Sequence, residues 1–313
     1  MAGIGRGIVL LLLAGASLRA QSPRVIIGPM HPPPGALVRV TLDHLPRADD
    51  SVTAVAGTMA GEPLHFARAA AGAWHALGGI PVDASDSIVA RVVTERASGR
   101  VDTIIATMRY PHQVAAQPGG RGRPPRARRL TVDRRFTQRL DSATEARIEN
   151  EAAEARDVGR HAHQTPPLWT EPFLKPRTTR VTSRFGSGRV FNGRVASSHL
   201  GIDYAGKPGE PIRAANRGVV ALVAEFFLAG NVVYIDHGGG IVTGYFHMSQ
   251  PLVAMGDTVA RGQEIGLVGA TGRVTGPHLH WSARYGAITV DPADLLTLEP
   301  GWYGACGRSA CPR

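Results

Sequence analysis

From about residue 176 to residue 298 the chain alternates short apolar runs with glycine-bearing turns and offers few helical periods. Residues 218–223, 232–236 and 241–246 are strand-like, and 256–266 reads as strand, turn, strand. The pattern predicts an antiparallel β-domain. The 38 glycines and 23 prolines among 313 residues fit a chain built from many turns and short strands.

A second β-type stretch precedes it. Residues 36–42, 87–93 and 101–106 mix apolar runs with period-2 alternation, separated by turn-type clusters at short intervals. Residues 21–110 therefore read as a small immunoglobulin-like β-module, without the Cys…Trp…Cys hallmark. His65, Trp74 and His75 read there as packing or surface residues. Residues 111–175 read as a basic Pro/Gly/Arg linker followed by one exposed helix, opened by Asp141-Ser142-Ala143-Thr144-Glu145. His161-Ala162-His163, in a polar stretch, reads as surface. The fold class is thus mainly β: an antiparallel β-domain at 176–298, preceded by the module and a helical linker. Residues 299–313 form a tail.

Residues 1–20 read as a secretory signal, with Arg6 before an apolar run from Ile8 and small residues at Ala14-Gly15-Ala16 and Ala20. That run is shorter than the roughly 20 residues a spanning helix needs. The expected location is the periplasm or the extracellular cell wall, with no stable membrane span after cleavage. Cys306 and Cys311, the two cysteines of the chain, are expected to close a small disulfide loop in an oxidising compartment. The net charge of +10 is concentrated at Arg121, Arg123, Arg126, Arg128, Arg129, Arg134 and Arg135. Interleaved Gly and Pro make this a solvated linker, or a patch drawn to a polyanion such as a cell-wall polymer. Nucleic acid is not an expected partner, since no aromatic platform accompanies the arginines.

Two short runs carry metal-binding side chains: His199-Leu200-Gly201-Ile202-Asp203 and His278-Leu279-His280. Two imidazoles and a carboxylate are a common way to hold a catalytic zinc with one position open. Residues two apart in a strand face the same side, so His278 and His280 share a face and Leu279 turns to the core. Both imidazoles could bind metal, or one could bind while the other acts beside it. Gly201 gives the chain the freedom to fold His199 and Asp203 toward one point. By the same alternation Tyr245 and His247 share a face, which makes His247 a fifth candidate. His237, before three glycines, reads as a turn residue.

With these runs in view, residues 181–296 resemble the lysostaphin/LytM-type zinc metalloendopeptidases, a peptidoglycan hydrolase family with the duplicated hybrid motif fold. The resemblance runs through Thr182-Ser183-Arg184-Phe185-Gly186, His199 to Asp203, Gly244-Tyr245-Phe246-His247-Met248, Gly262-Gln263-Glu264-Ile265-Gly266 and Gly272 to His280. It implies one Zn2+ held by His199, Asp203 and His280, with His247 and His278 as the catalytic pair. It implies hydrolysis of peptide bonds in peptidoglycan stems or cross-links. The segment Gly188-Arg189-Val190-Phe191-Asn192-Gly193 lacks the Tyr that glycyl-glycine-cutting relatives tend to place there, which favours a D-Ala-diaminopimelate type cross-link. In some relatives an upstream segment covers the groove, a role open here to residues 131–175.

Two other readings compete. A non-catalytic wall-binding or amidase-activating relative would be expected to lack a ligand, and every ligand is present. A biotinyl/lipoyl-type carrier needs a lysine at a hairpin tip, whereas Lys207 lies beside Pro208-Gly209.

Overall fold

A computed structural model describes residues 23–43, 51–69, 72–84, 87–109, 127–193 and 195–298. The expected signal at 1–20, the arginines at 121, 123 and 126, and Cys306 and Cys311 lie outside the described residues.

The amino-terminal part forms two four-stranded sheets. One runs Arg24–Gly28, Leu37–Asp43, Trp74–Gly79, Ala67–Arg68 in spatial order, and the other Glu62–Leu64, Val52–Met59, Ser87–Arg96, Val101–Arg109. Alternation decides what enters the core. Along Ser87–Arg96, Ile88, Ala90, Val92 and Thr94 are buried while Ser87, Val89 and Arg91 are exposed. Val38, Val40, Met59, Leu64 and Ile80 complete a core that both sheets share.

The carboxy-terminal part is an antiparallel ten-stranded sheet. Its main path runs Val181–Ser183, Ile202–Ala205, His278–Tyr285, Ile241–Pro251, Gly230–Gly238, Gly218–Phe226, Thr258–Val259. Tyr245, Leu279, Trp281 and Ile235 pack into the larger core on one face. Val232, Tyr234 and Val242, with Phe246 packed against them, point to the other face.

Helix Ser142–His161 lies on that second face, its N-terminus capped by the Asp141 carboxylate accepting from Thr144 N–H at 2.7 Å. It is not simply an exposed connector: Ala155 and Gly159 are buried against the sheet. A Cβ at Gly159 would stand 1.9 Å from the Gly286 carbonyl oxygen, so only glycine permits this approach. Ala155, Gly159 and half-buried Val158 make the apolar contact on an otherwise polar helix, which carries little apolar periodicity. Upstream of the helix, Arg128–Leu130 pairs in parallel with Gly188–Phe191, which in turn pairs with Val195–Ser198. The segment read as linker thus contributes a strand.

His163 departs from its expected surface position. Its side chain is 7% exposed, and its Nε2 lies 2.9 Å from Glu62 Oε2 and its Nδ1 2.8 Å from His65 Nε2. His237 is also no turn residue. It ends strand Gly230–Gly238, fully buried, between the Arg217 carbonyl at 2.7 Å and the Thr243 hydroxyl at 2.8 Å. The partners of His163 come from about 100 residues earlier, and those of His237 from the neighbouring strand and the turn at Arg217.

Candidate metal centre

The registers of the sheet build the site. Asp203 on Ile202–Ala205 sits directly opposite His280 on His278–Tyr285, and Phe246 sits opposite His280 on the other side. His199 enters just before strand Ile202–Ala205. Its Nε2 lies 2.8 Å from His280 Nδ1 and 2.9 Å from Asp203 Oδ1. His280 Nδ1 completes the triangle at 2.9 Å from the same Oδ1. The three donor atoms fall within 4.8 Å of one another on side chains that are all buried.

The partners around these residues point the lone pairs inward. His199 Nδ1–H donates to the Arg184 carbonyl at 2.9 Å, with Ser183 Oγ at 3.1 Å, which leaves Nε2 bare toward Asp203 and His280. Burial alone would raise the Asp203 pKa, but the His199 and His280 rings packed against Oδ1 outweigh it and hold the carboxyl far below the usual carboxylate range. Burial pushes His280 down to about 4, against the upward pull of Asp203. Two imidazole nitrogens and an ionised carboxylate oxygen converging in a buried space is a donor set that fits Zn2+. Gly201 is part of the build: a Cβ there would stand 2.6 Å from His280 Nε2 and 2.6 Å from the Trp281 carbonyl oxygen.

His247 and His278 flank this triangle. Their ring centroids are 4.9 Å apart, and His247 is 6.0 Å from His280. His278 Nδ1–H donates to the Gly276 carbonyl at 2.8 Å, and its Nε2 lies 3.7 Å from Asp203 Oδ1. His247 Nδ1–H donates to the Thr271 carbonyl at 2.8 Å. Burial, then the charges of His278 and His280, push the His247 pKa well down and keep the ring neutral. Among the described residues, all five predicted positions meet in one place.

The alternation argument for Tyr245 and His247 does not hold. Tyr245 is in the larger core, its hydroxyl 2.8 Å from Ala215 N, while Phe246 stacks on His280 at 5.1 Å. Strict alternation would send His247 to the Tyr245 side. A left-handed backbone at His247, φ 62°, turns its ring onto the His280 side instead. Histidine is among the few residues enriched in that conformation.

Sequence reasoning assigned no role to Arg189 or Ser183. Arg189 donates to Asp203 Oδ2 and, at 3.2 Å, to Ser183 Oγ. The Thr182-Ser183-Arg184 run was visible as a motif, and Arg189 stood within the Gly188 to Gly193 segment; neither carries a spacing signal of its own.

A cavity of about 560 Å³ opens beside Asp203 and His278. Arg128 and Leu130, on the strand before the helix, line it together with Arg189, Phe191 and Arg273.

Comparison with known proteins matches the part of the chain that carries this site. Residues 197–292 match the family model described as Peptidase family M23. The peptidoglycan DD-endopeptidase ShyA of Vibrio cholerae is 46% identical over 104 residues, which is 33% of this chain and 24% of that protein. The DD-carboxypeptidase/endopeptidase Mpg of Neisseria meningitidis is 40% identical over 122 residues, 39% of this chain and 28% of that protein. A crystal structure from Pseudomonas aeruginosa assigned to peptidase M23 superimposes with a TM-score of 0.60 at 26% identity, covering 85% of this chain and 95% of that one. The fold and the buried His-Asp-His triangle are consistent with a metallopeptidase-type domain. The match to peptidase family M23 covers residues 197–292, the part that holds all five site residues. The matched part spans about a quarter of the length of the two curated relatives.

Proposed function

We propose that this protein is an exported zinc metalloendopeptidase that hydrolyses peptide bonds in peptidoglycan stems or cross-links. The observation that carries it is the convergence of His199 Nε2, Asp203 Oδ1 and His280 Nδ1 within 4.8 Å, beside a second pair of histidines. The relatives named as peptidoglycan endopeptidases support the substrate class. No helix among the described residues is long and apolar enough to cross a membrane.

His199, Asp203 and His280 would hold the metal. Zinc bound there supplies Lewis acidity, bringing the pKa of a water to about 7 and polarising the scissile carbonyl. His247 and His278 act on the protons. Each Nδ1–H is tied to a backbone carbonyl, so each presents Nε2 as its working atom. Between them they take the proton of the attacking water, deliver it to the leaving amine and stabilise the tetrahedral oxyanion. Proton transfer of this kind contributes roughly 10²–10⁴-fold.

The test is muropeptide release by the purified full chain, with zinc measured on the same sample. Full activity after His280→Ala, or activity indifferent to metal removal, would sink the reading.

A further inference from the structure

The cavity beside the triangle is lined by five cationic side chains and two carboxylates. Both carboxylates are already engaged. Asp203 meets His199, His280 and Arg189. Glu210 accepts from Arg177, which is buried behind the wall. Four cations of the lining are left over: Arg128, Arg180, Lys207 and Arg273.

Arg273 is the most constrained of these. Its guanidinium carbon lies 4.3 Å from the centroid of the Phe191 ring, and its backbone N–H donates to the Leu228 carbonyl at 2.8 Å. Among the described residues no carboxylate pairs with it. Burial, and then the neighbouring charge of Arg189, act against its charged form. A guanidinium does not lose its proton under these conditions, so the charge stays, with the Phe191 face beside it but no carboxylate among the described residues. Arg273 lines the same cavity as His278, and the Thr271 carbonyl that orients His247 lies two residues before it in the chain. An anion held there would lie in the cavity that opens beside Asp203 and His278.

We propose that Arg273, assisted by Arg128 and Lys207 across the cavity, forms a carboxylate-recognition subsite that selects peptides with free carboxyl groups over their amidated counterparts. This rests on the hydrolase reading for the peptide nature of the ligand. A planar guanidinium pre-set by an aromatic face suits bidentate binding of a carboxylate, and a neutral carboxamide leaves the unpaired charge in place. Arg128 belongs to the strand upstream of the metal domain, so the selectivity is built jointly by both segments.

The experiment uses the full chain, stripped of metal and titrated calorimetrically with a cross-linked stem peptide carrying free carboxylates or the corresponding carboxamides. The acidic peptide is expected to bind about 10- to 100-fold more tightly. Arg273→Gln should bring its affinity down to that of the amide and leave amide binding unchanged. Arg128→Gln, at an exposed position, should give a smaller loss of the same kind without touching the fold. Equal affinity of the unmodified protein for both peptides overturns the subsite, as does discrimination that survives both substitutions. The two readings fail separately. A zinc-loaded protein that cleaves both peptides equally well loses the subsite and remains a hydrolase. One that cleaves neither loses the hydrolase reading, while the calorimetric ratio still decides the subsite.

Discussion

Arg189 donates to Oδ2 of Asp203, the carboxylate oxygen not shared by the two imidazoles, while Oδ1 lies 2.9 Å from both His199 Nε2 and His280 Nδ1. One oxygen is thus reserved for the metal side and the other fixes the carboxylate plane. Removing such an outer partner typically weakens a metal site by about 10–100-fold. Arg189→Leu is expected to lower zinc affinity by at least about tenfold. Competition against a chromophoric chelator measures it, and an unchanged dissociation constant would refute the positioning role.

Gly201 should tolerate no side chain. A Cβ would stand 2.6 Å from His280 ring atoms and from the Trp281 backbone oxygen, which cannot swing aside. Gly201→Ala is expected to displace His280 and to destabilise by about 1–3 kcal/mol. Zinc stoichiometry well below that of the parent, in a protein that still melts cooperatively, is the expected outcome.

The two pairs of histidine functions should separate. His247→Ala and His278→Ala are expected to keep bound zinc and lose roughly 10²–10⁴-fold in kcat. His199→Ala and His280→Ala are expected to lose zinc itself. Metal analysis alongside muropeptide kinetics distinguishes the cases, and loss of zinc in the His278 variant would return that residue to the ligand set.

His237 sets an acid limit on stability. Burial pushes its pKa down from 6.5 to about 4. The unfolded chain therefore binds a proton that the folded protein refuses between these values. The stability is complete above pH 6.5 and falls as the pH drops toward 4, by about 3 kcal/mol in all. Urea unfolding at a series of pH values should show this slope, and His237→Gln should flatten it relative to the parent. Parallel profiles for the two proteins would exclude His237 as the source.

Much of the site was legible because its residues cluster in the chain. His199 and Asp203 are four apart, His278 and His280 two apart, and their type and spacing carry the chemistry. The strands were legible because alternation is a local property, as at Ile88, Ala90 and Val92. What escaped is what depends on distant partners or on one backbone angle. His163 is buried by Glu62, about 100 residues earlier, and Arg189 acquires its role only when Asp203 folds back against it. His247 faces the metal side because of a single left-handed residue that no pattern of hydrophobicity encodes.

The parallel pairing of Arg128–Leu130 with Gly188–Phe191 has a practical consequence for excision of the metal domain. A fragment begun at residue 176 would strip Leu130, Val132 and Phe136 from Phe191 and leave strand Gly188–Phe191 with a bare edge. It would also uncover Leu222, Phe226 and Val232 where the helix had lain. Open strand edges beside apolar surface invite self-association. A fragment begun ahead of residue 127 keeps both covers, yet it still loses Leu37 and Leu77 from the larger core and Glu62 and His65 from His163.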